Sequence, residues 1–271
     1  MSDGKQVDYE EESTEQQQNQ PAQRQVPQNE GSDLPIKEGA VFGAIAVVAT
    51  YLAHLLVTLV ASAQTTPEVT VEGTGDDATV VATDLVSSWV GAGWSYIASF
   101  GVGFEAAGEP ATISDAPNNV AAIANTPFFL LDTVLFLATI GAVVAAGYAV
   151  ARYTDADDAV DAVKAGVTVV PPYLVFAAVA AFLMTHTYSE DVLVQTLVGD
   201  STSLGNVATL EYEQFFSDEG NVISDVEFGP ATTDAILFGG LAVPAVLAAA
   251  GGLLTQWRDA VESAVTAVNE R

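Results

Sequence analysis

The sequence predicts an all-α integral membrane protein, a four-helix transmembrane bundle with acidic extracellular loops. Half of its 271 residues are hydrophobic, and only 15% are charged, whereas a soluble protein carries about 25% charged residues. The formal net charge is nevertheless -28. These two observations together indicate that the charges are concentrated in loops between long neutral segments.

The clearest of the neutral segments ends at Arg152, and no charged residue lies between Asp132 and Arg152. A helix needs about 20 mostly apolar residues to cross the hydrocarbon core of a bilayer. Four segments meet this requirement within a membrane domain over 37–258. The predicted spans are 39–61, 127–152, 165–187 and 232–257.

Three prolines predict breaks in the last two spans. Pro171 and Pro172 lie in the third span, and Pro244 lies at the centre of the fourth. A proline removes a helical hydrogen bond, and a membrane helix tolerates this when neighbouring groups satisfy the freed carbonyl groups.

Two long acidic loops, 62–125 and 188–230, connect these spans. In the first loop, PEVTVEG and ATVVA flank a GTGDD turn, and this pattern predicts a β-hairpin. The segment 84–104 follows, rich in aromatic residues, glycine and serine. We interpret it as a helix that lies on the outer membrane surface or against the bundle, because aromatic side chains favour the membrane boundary. The alternative is a fifth span.

The positions of the basic residues predict the topology. Neither long loop contains any of the seven Lys and Arg residues, and basic residues favour the cytoplasmic side. We therefore expect a multi-pass protein of the cell membrane with both termini in the cytoplasm. The polar segment 1–36 has too few apolar residues to fold and is predicted to be a disordered tail, and 259–271 is a short second tail.

The acidic composition restricts the function classes. Thirty-five Asp and Glu residues against seven basic ones oppose nucleic-acid binding, which requires Lys and Arg, and are typical of a halophilic archaeon. In molar salt the Debye length is about 3 Å, so repulsion between these carboxylates is largely screened. The sequence has no cysteine and no metal-binding or catalytic motif. We expect no cofactor, no bound metal and no enzymatic activity.

Two ionisable residues inside predicted spans are the candidate site. His54 and Asp132 lie at matching depths from the same membrane face, so that a contact between them is geometrically feasible. Tyr51 and Thr58 lie on the His54 face of the first span, at i−3 and i+4. The pair of His54 and Asp132 could hold a proton or a cation, and Tyr51 and Thr58 complete the candidate polar site. The alternative is that His54 hydrogen-bonds a neighbouring helix and that Asp132 is hydrated.

The stretches KEGAVFGAIAVVATYLAHLLV, SSWVGAGWSYIASF and GAVVAAGYAVAR resemble an uncharacterised family of haloarchaeal multi-pass membrane proteins. The resemblance covers roughly residues 37–258. Some members of that family are labelled transporters, but the resemblance brings no catalytic residues with it.

Two functions from different classes follow. The first is a non-enzymatic structural or partner-binding subunit, with the lipid bilayer and either a second copy of the chain or an unknown membrane protein as partners. The second is a small transporter or channel for an ion or small solute, built on the proline-broken helices and the polar side chains inside the bundle.

Overall fold

The structure is a computed structural model, and it describes residues 34–64, 69–72, 79–82, 85–119, 129–200 and 202–257. Residues 1–33 of the predicted tail over 1–36 lie outside this part of the chain, and so does the whole of the predicted tail over 259–271.

The predicted fold class is confirmed: the structure is mostly helical, and four helices in the part of the chain that it describes are long and apolar enough to cross a membrane. These four run over Ile36–Gln64, Leu130–Tyr153, Ala159–Leu183 and Thr232–Gln256. The α-helices within the described residues are α1 (Ile36–Gln64), α2 (Ser88–Ala98), α3 (Phe129–Tyr153), α4 (Ala159–Val167), α5 (Val170–Leu183), α6 (Asp191–Val198), α7 (Tyr212–Phe215), α8 (Thr232–Asp234) and α9 (Val243–Leu253). A π-helical segment, Ala235–Ala242, joins α8 to α9, and a 3-10 turn, Leu254–Gln256, follows α9.

The third long helix is displaced from its predicted bounds of 165–187. It begins earlier, at Ala159, because the Asp158 carboxylate accepts hydrogen bonds from the backbone N–H groups of Val160 and Asp161 and caps α4. It ends earlier, at Leu183. The residues after it, which include β-branched threonine and an aromatic residue, pair in a sheet instead.

The segment predicted to lie on the outer membrane surface or against the bundle is helical, and of these two positions the structure shows the second. Helix α2 packs inside the bundle against α1 and α5, and every residue from Val90 to Ile97 is buried. Its small residues permit this: a Cβ atom at Gly93 would collide with the sulfur of Met184. With 11 residues, α2 is about 16 Å long, too short for a fifth span.

Both predicted loops contribute to one β-sheet. The strands are β1 (Val69–Glu72), β2 (Thr79–Ala82), β3 (Phe104–Ala106), β4 (Glu109–Ala111), β5 (His186–Tyr188) and β6 (Val226–Pro230). Strands β1 and β2 form the predicted antiparallel hairpin, whose connecting turn lies outside the described residues. The other four form an antiparallel sheet in the order β4-β3-β6-β5. This sheet, together with the described residues between β5 and β6, which include α6 and α7, is called the cap below.

A cluster of three aromatic rings joins the cap to α2. The Trp94 ring lies 5.1 Å from Phe228 and 6.0 Å from Phe104, measured between ring centroids. The indole N–H of Trp94 donates to the carbonyl oxygen of Met184 at 2.6 Å. This buried side chain therefore connects α2, the sheet and the end of α5.

The long helices approach one another closely where their interface residues are small. A Cβ atom at Gly147 of α3 would collide with the backbone oxygen of Ala248 of α9, and one at Gly252 of α9 would collide with the backbone oxygen of Ala162 of α4. Small residues let helices in a membrane reach such distances, at which dispersion contacts hold them together.

Candidate functional site

A buried histidine joins three helices in the interior of the bundle. His54 on α1 is only 1% exposed. Its Nδ1 atom lies 2.8 Å from the hydroxyl oxygen of Ser95 on α2, and its Nε2 atom lies 3.0 Å from the hydroxyl oxygen of Thr139 on α3. We call His54, Ser95 and Thr139 the histidine junction.

The chemistry of the junction follows from its partners. A neutral imidazole donates from one nitrogen and accepts at the other, and a hydroxyl group can do either. Both nitrogens of His54 therefore have a partner in either tautomer, without any carboxylate at hydrogen-bond distance. Over the part of the chain that the structure describes, no group of three or more His, Asp or Glu side chains could hold a metal ion.

Hydroxyl side chains continue the polar face of α1 on both sides of the histidine. Thr50 and Thr58 lie four residues before and after His54, so all three point to the same side of the helix. The Thr50 hydroxyl donates to the carbonyl oxygen of Ala46 at 2.6 Å, and the Thr58 hydroxyl donates to that of His54 at 2.9 Å. Each hydroxyl is buried yet satisfied by its own helix.

Asp132 is not part of this junction. It is the fourth residue of α3 and is exposed, and among the described residues it has no hydrogen-bond or ion-pair partner. Thr139 lies two turns further along α3, about 10 Å away along the helix axis. The expected matching depth of His54 and Asp132 therefore does not hold: the imidazole is level with Thr139, because α1 continues to Gln64, beyond the predicted end of that span.

Tyr51 takes a different position from the other residues of the predicted site. Its hydroxyl donates to the backbone oxygen of Trp89 at 3.1 Å, near the start of α2. Its ring lies 5.2 Å from that of Phe176 on α5, between centroids. Tyr51 thus packs beside the histidine junction and contributes no group to it.

The prolines lie next to two departures from α-helical geometry. Pro171 and Pro172 occupy the first turn of α5, immediately after the chain leaves α4 at Thr168 and Val169. Pro244 is the second residue of α9 and follows the π-helical segment. In both places the proline begins a new stretch of helix, a position where its missing N–H group has little cost.

Two buried tyrosines in the interior of the bundle were not among the candidate site residues predicted from the sequence. Tyr96 on α2 and Tyr173 on α5 are each 1% exposed. In the described structure the Tyr173 hydroxyl has no hydrogen-bond partner, and the Tyr96 hydroxyl lies beside that of Thr50. Neither was distinguishable in the sequence, because an aromatic residue in an apolar helix is usually a core or interface residue.

The chain belongs to DUF7978, a family of unknown function, whose model matches residues 15–259. No curated protein and no solved structure matches the chain.

Proposed function

We propose that this member of the DUF7978 family is a non-enzymatic membrane scaffold that holds its acidic cap at the outer surface of the cell membrane for a partner with a basic surface. The histidine junction carries this proposal. Its imidazole is enclosed, and each ring nitrogen already has a protein partner. Such a group serves to fix three helices, because binding a solute would require it to break a satisfied hydrogen bond.

The packing of α3 against α9 supports a rigid interior. Gly251 of α9 and Gly147 of α3 each lie where a Cβ atom would collide with the backbone of the other helix. Contacts of backbone on backbone leave no room for side chains to rearrange. A bundle packed in this way is better suited to a scaffold than to a transporter or channel.

The cap supplies the surface that a partner would bind. The loop 188–230, which supplies most of it, contains nine acidic residues and no lysine or arginine. Among the acidic residues, Glu213, Asp218 and Glu219 are exposed near α7. A surface of a single charge sign attracts a partner of opposite sign and repels others.

The proposed orientation places both termini in the cytoplasm of a halophilic archaeon. It rests on the absence of basic residues from both cap-forming loops. Because the chain has no cysteine, single cysteines at Ser203 of the cap and at Asp158, which caps α4 at the opposite end of the bundle, can be labelled in intact cells with an impermeant maleimide. We expect labelling at position 203 alone; labelling at position 158 alone would reverse the orientation.

Flux measurements test the scaffold proposal directly. We expect liposomes containing the purified protein to show the same proton, sodium, potassium and chloride flux as empty liposomes.

A photo-crosslinker at Ser203 should give a discrete adduct in native membranes, and this adduct should weaken when Glu213, Asp218 and Glu219 are replaced by glutamine. A crosslinker at Asp158 is the matched control. Flux that the His54→Ala variant loses would contradict the scaffold role.

One observation favours a small transporter or channel as a second candidate. The fourth long helix contains the π-helical segment Ala235–Ala242, and such segments occur frequently at functional sites. At Gly239, in the middle of this segment, an added Cβ atom would lie 2.9 Å from the side chain of Ile97, in α2, and 3.1 Å from that of Val102, beyond the end of α2. The Gly239→Val variant would separate the two candidates: it should abolish a specific flux and leave a scaffold's adduct unchanged.

A further inference from the structure

An open pocket with polar walls lies at the end of the bundle opposite the cap, where two of the long helices end. Its volume is about 360 Å³, within the range of about 300–1,000 Å³ that is usual for ligand sites. Five polar residues line it: Arg152 at the end of α3, Asp155 and Asp157 after that helix, and Thr255 and Gln256 in the turn after α9.

Two exposed aromatic residues mark the level of this pocket in the membrane. Tyr153 directly follows Arg152, and Trp257 directly follows Gln256. They are 68% and 66% exposed, and two of the candidate spans end at Tyr153 and Gln256. Because Tyr and Trp concentrate at the boundary between hydrocarbon and water, the pocket lies at the height of the phospholipid headgroups.

Arg152 supplies the positive charge of the pocket. Among the described residues it has no ion-pair partner, although two carboxylates line the same pocket. A guanidinium group carries five N–H donors in a planar fork, which fits two oxygens of a phosphate. This donor set is exposed to the solvent and is therefore available to an anionic group.

The other polar groups of the pocket are left as acceptors. The Gln256 side-chain amide donates to the backbone oxygen of Ala156 at 3.0 Å, and the Thr255 hydroxyl donates to that of Gly252 at 2.8 Å. The Gln256 amide oxygen and the two carboxylates remain to accept hydrogen bonds. A fitting ligand therefore carries one phosphate with hydroxyl or ammonium donors beside it, and a second phosphate would meet repulsion from the carboxylates.

Asp155 occupies a position where glycine is usual. Its N–H group points to the carbonyl oxygen of Arg152 at 3.4 Å, and that of Ala156 points to the carbonyl oxygen of Ala151 at 3.1 Å. This pattern ends many helices with one left-handed residue. The φ angle of Asp155 is 48°, a conformation that glycine adopts without steric cost. The helix end does not need this carboxylate, and Asp155→Gly can remove it without disturbing the backbone.

We propose that this pocket binds the headgroup of one membrane phospholipid, with its phosphate on the guanidinium group of Arg152. Donor groups of the headgroup bind the carboxylates of Asp155 and Asp157 and the amide oxygen of Gln256. Free glycerol phosphate has the same chemistry, but the position of the pocket at the membrane surface favours the lipid. The bound lipid connects the end of α3 to the end of the fourth long helix, and it does not depend on a partner of the cap.

Thermal unfolding of the full-length protein in detergent tests the ligand class. Molar potassium chloride reduces the Debye length to about 3 Å, so that only short-range contacts with the added lipid remain. Phosphatidylglycerol at a hundred times its dissociation constant should raise the unfolding temperature by about 5–10 °C. Phosphatidylcholine, whose headgroup has no donor, should raise it less. Equal effects of the two lipids would overturn the role of the carboxylates, and an equal effect of glycerol phosphate would overturn the lipid.

A pair of basic residues tests the location of the site. Arg152→Gln should weaken phosphatidylglycerol binding at least about tenfold, because it removes a charged hydrogen-bond donor. Lys37→Gln is the matched control: Lys37 is exposed outside the pocket, five residues before Phe42, whose ring contacts that of Tyr153. It should bind like the wild type. Equal losses in both variants would mean general attraction between opposite charges and would overturn the site.

The carboxylates need a variant that leaves the fold intact. The double variant Asp155→Gly, Asp157→Asn should unfold without lipid at the wild-type temperature or above, since glycine suits the left-handed position. It should lose the preference for phosphatidylglycerol over phosphatidylcholine. A folded double variant that kept the full preference would overturn the assignment of the headgroup donors to these residues.

Discussion

The Nε2 atom of His54 lies 3.0 Å from the hydroxyl oxygen of Thr139, which joins α1 to α3 in the interior of the bundle. Because Ser95 occupies the other ring nitrogen, one side chain fixes two neighbouring helices at once. The interior is therefore specified by a directional contact in a region where apolar packing alone would permit other arrangements.

Removing the imidazole should destabilise the protein. We expect His54→Ala to lower the free energy of unfolding by about 1–3 kcal/mol, because it leaves the hydroxyls of Ser95 and Thr139 without their partner. Thermal unfolding in detergent, followed by circular dichroism, measures the change. Asp132→Asn is the control: that side chain is exposed and should contribute little. Equal losses in both variants would contradict the structural role of the junction.

Trp94 should contribute more to stability than Trp89, although both belong to α2. Trp94→Phe removes the hydrogen bond to the Met184 carbonyl oxygen and leaves that oxygen unpaired, at a cost of about 1–3 kcal/mol. Trp89 is 46% exposed, so that Trp89→Phe should change stability by less than about 0.5 kcal/mol. Chemical unfolding of the two variants under identical conditions compares them. A larger loss in Trp89→Phe would mean that α2 is anchored elsewhere.

Two glycines of α3 offer a matched pair for the helix packing. Gly147→Ala places a methyl group against the backbone oxygen of Ala248, which cannot rotate away, and overpacking of this kind costs about 1–3 kcal/mol. Gly141 has no atom within 4 Å of its Cβ position, so Gly141→Ala should gain up to about 1 kcal/mol of helix propensity. Measured unfolding temperatures should move in opposite directions. A shift of the same sign in both variants would contradict the close contact between α3 and α9.

Asp200 of the cap should titrate at unusually low pH. Hydrogen bonds from the hydroxyl and the backbone N–H of Thr202 and from Ser203 lower the pKa of its carboxyl group to about 2. Because this pKa is lower in the folded state than in the unfolded state, the ionised carboxylate stabilises the cap at pH values above the unfolded pKa of 3.8. This stabilisation is lost as the pH falls from 3.8 towards 2. Carboxyl-carbon NMR titration measures the shift, with Asp200→Asn to assign the signal. An ordinary titration near 3.8 would contradict these hydrogen bonds.

The long helices were predictable because their signal is local. About 20 apolar residues without a charge define a span whatever surrounds it, and the hairpin of β1 and β2 likewise depends on adjacent residues. The position of α2 was not predictable, because glycine, serine and aromatic residues suit an interface and a tightly packed interior equally well. Only the tertiary contacts of Gly93 and Trp94 distinguish the two.

The same limit applies to the site. His54 was recognisable, since an ionisable residue in a span is rare. Its partners were not recognisable, because Ser95 and Thr139 are small hydroxyl residues of common types. The relative depth of their segments in the membrane also depends on where each helix ends. An error of about one helical turn at the end of α1 placed His54 and Asp132 at one depth, whereas the alternative, a hydrogen bond from His54 to a neighbouring helix, is what the structure shows.

The pairing of Phe104 with Pro230 has a consequence for biosynthesis. Strand β3 leaves the ribosome more than a hundred residues before β6, which is several seconds at about 5–20 residues per second. During this delay the first two long helices can insert, but β3 has only β4 beside it and its other edge remains unpaired. Completion of the sheet therefore shows that the chain has been synthesised past the third long helix, and a chain truncated after α3 should be recognised as unfinished by quality-control proteases.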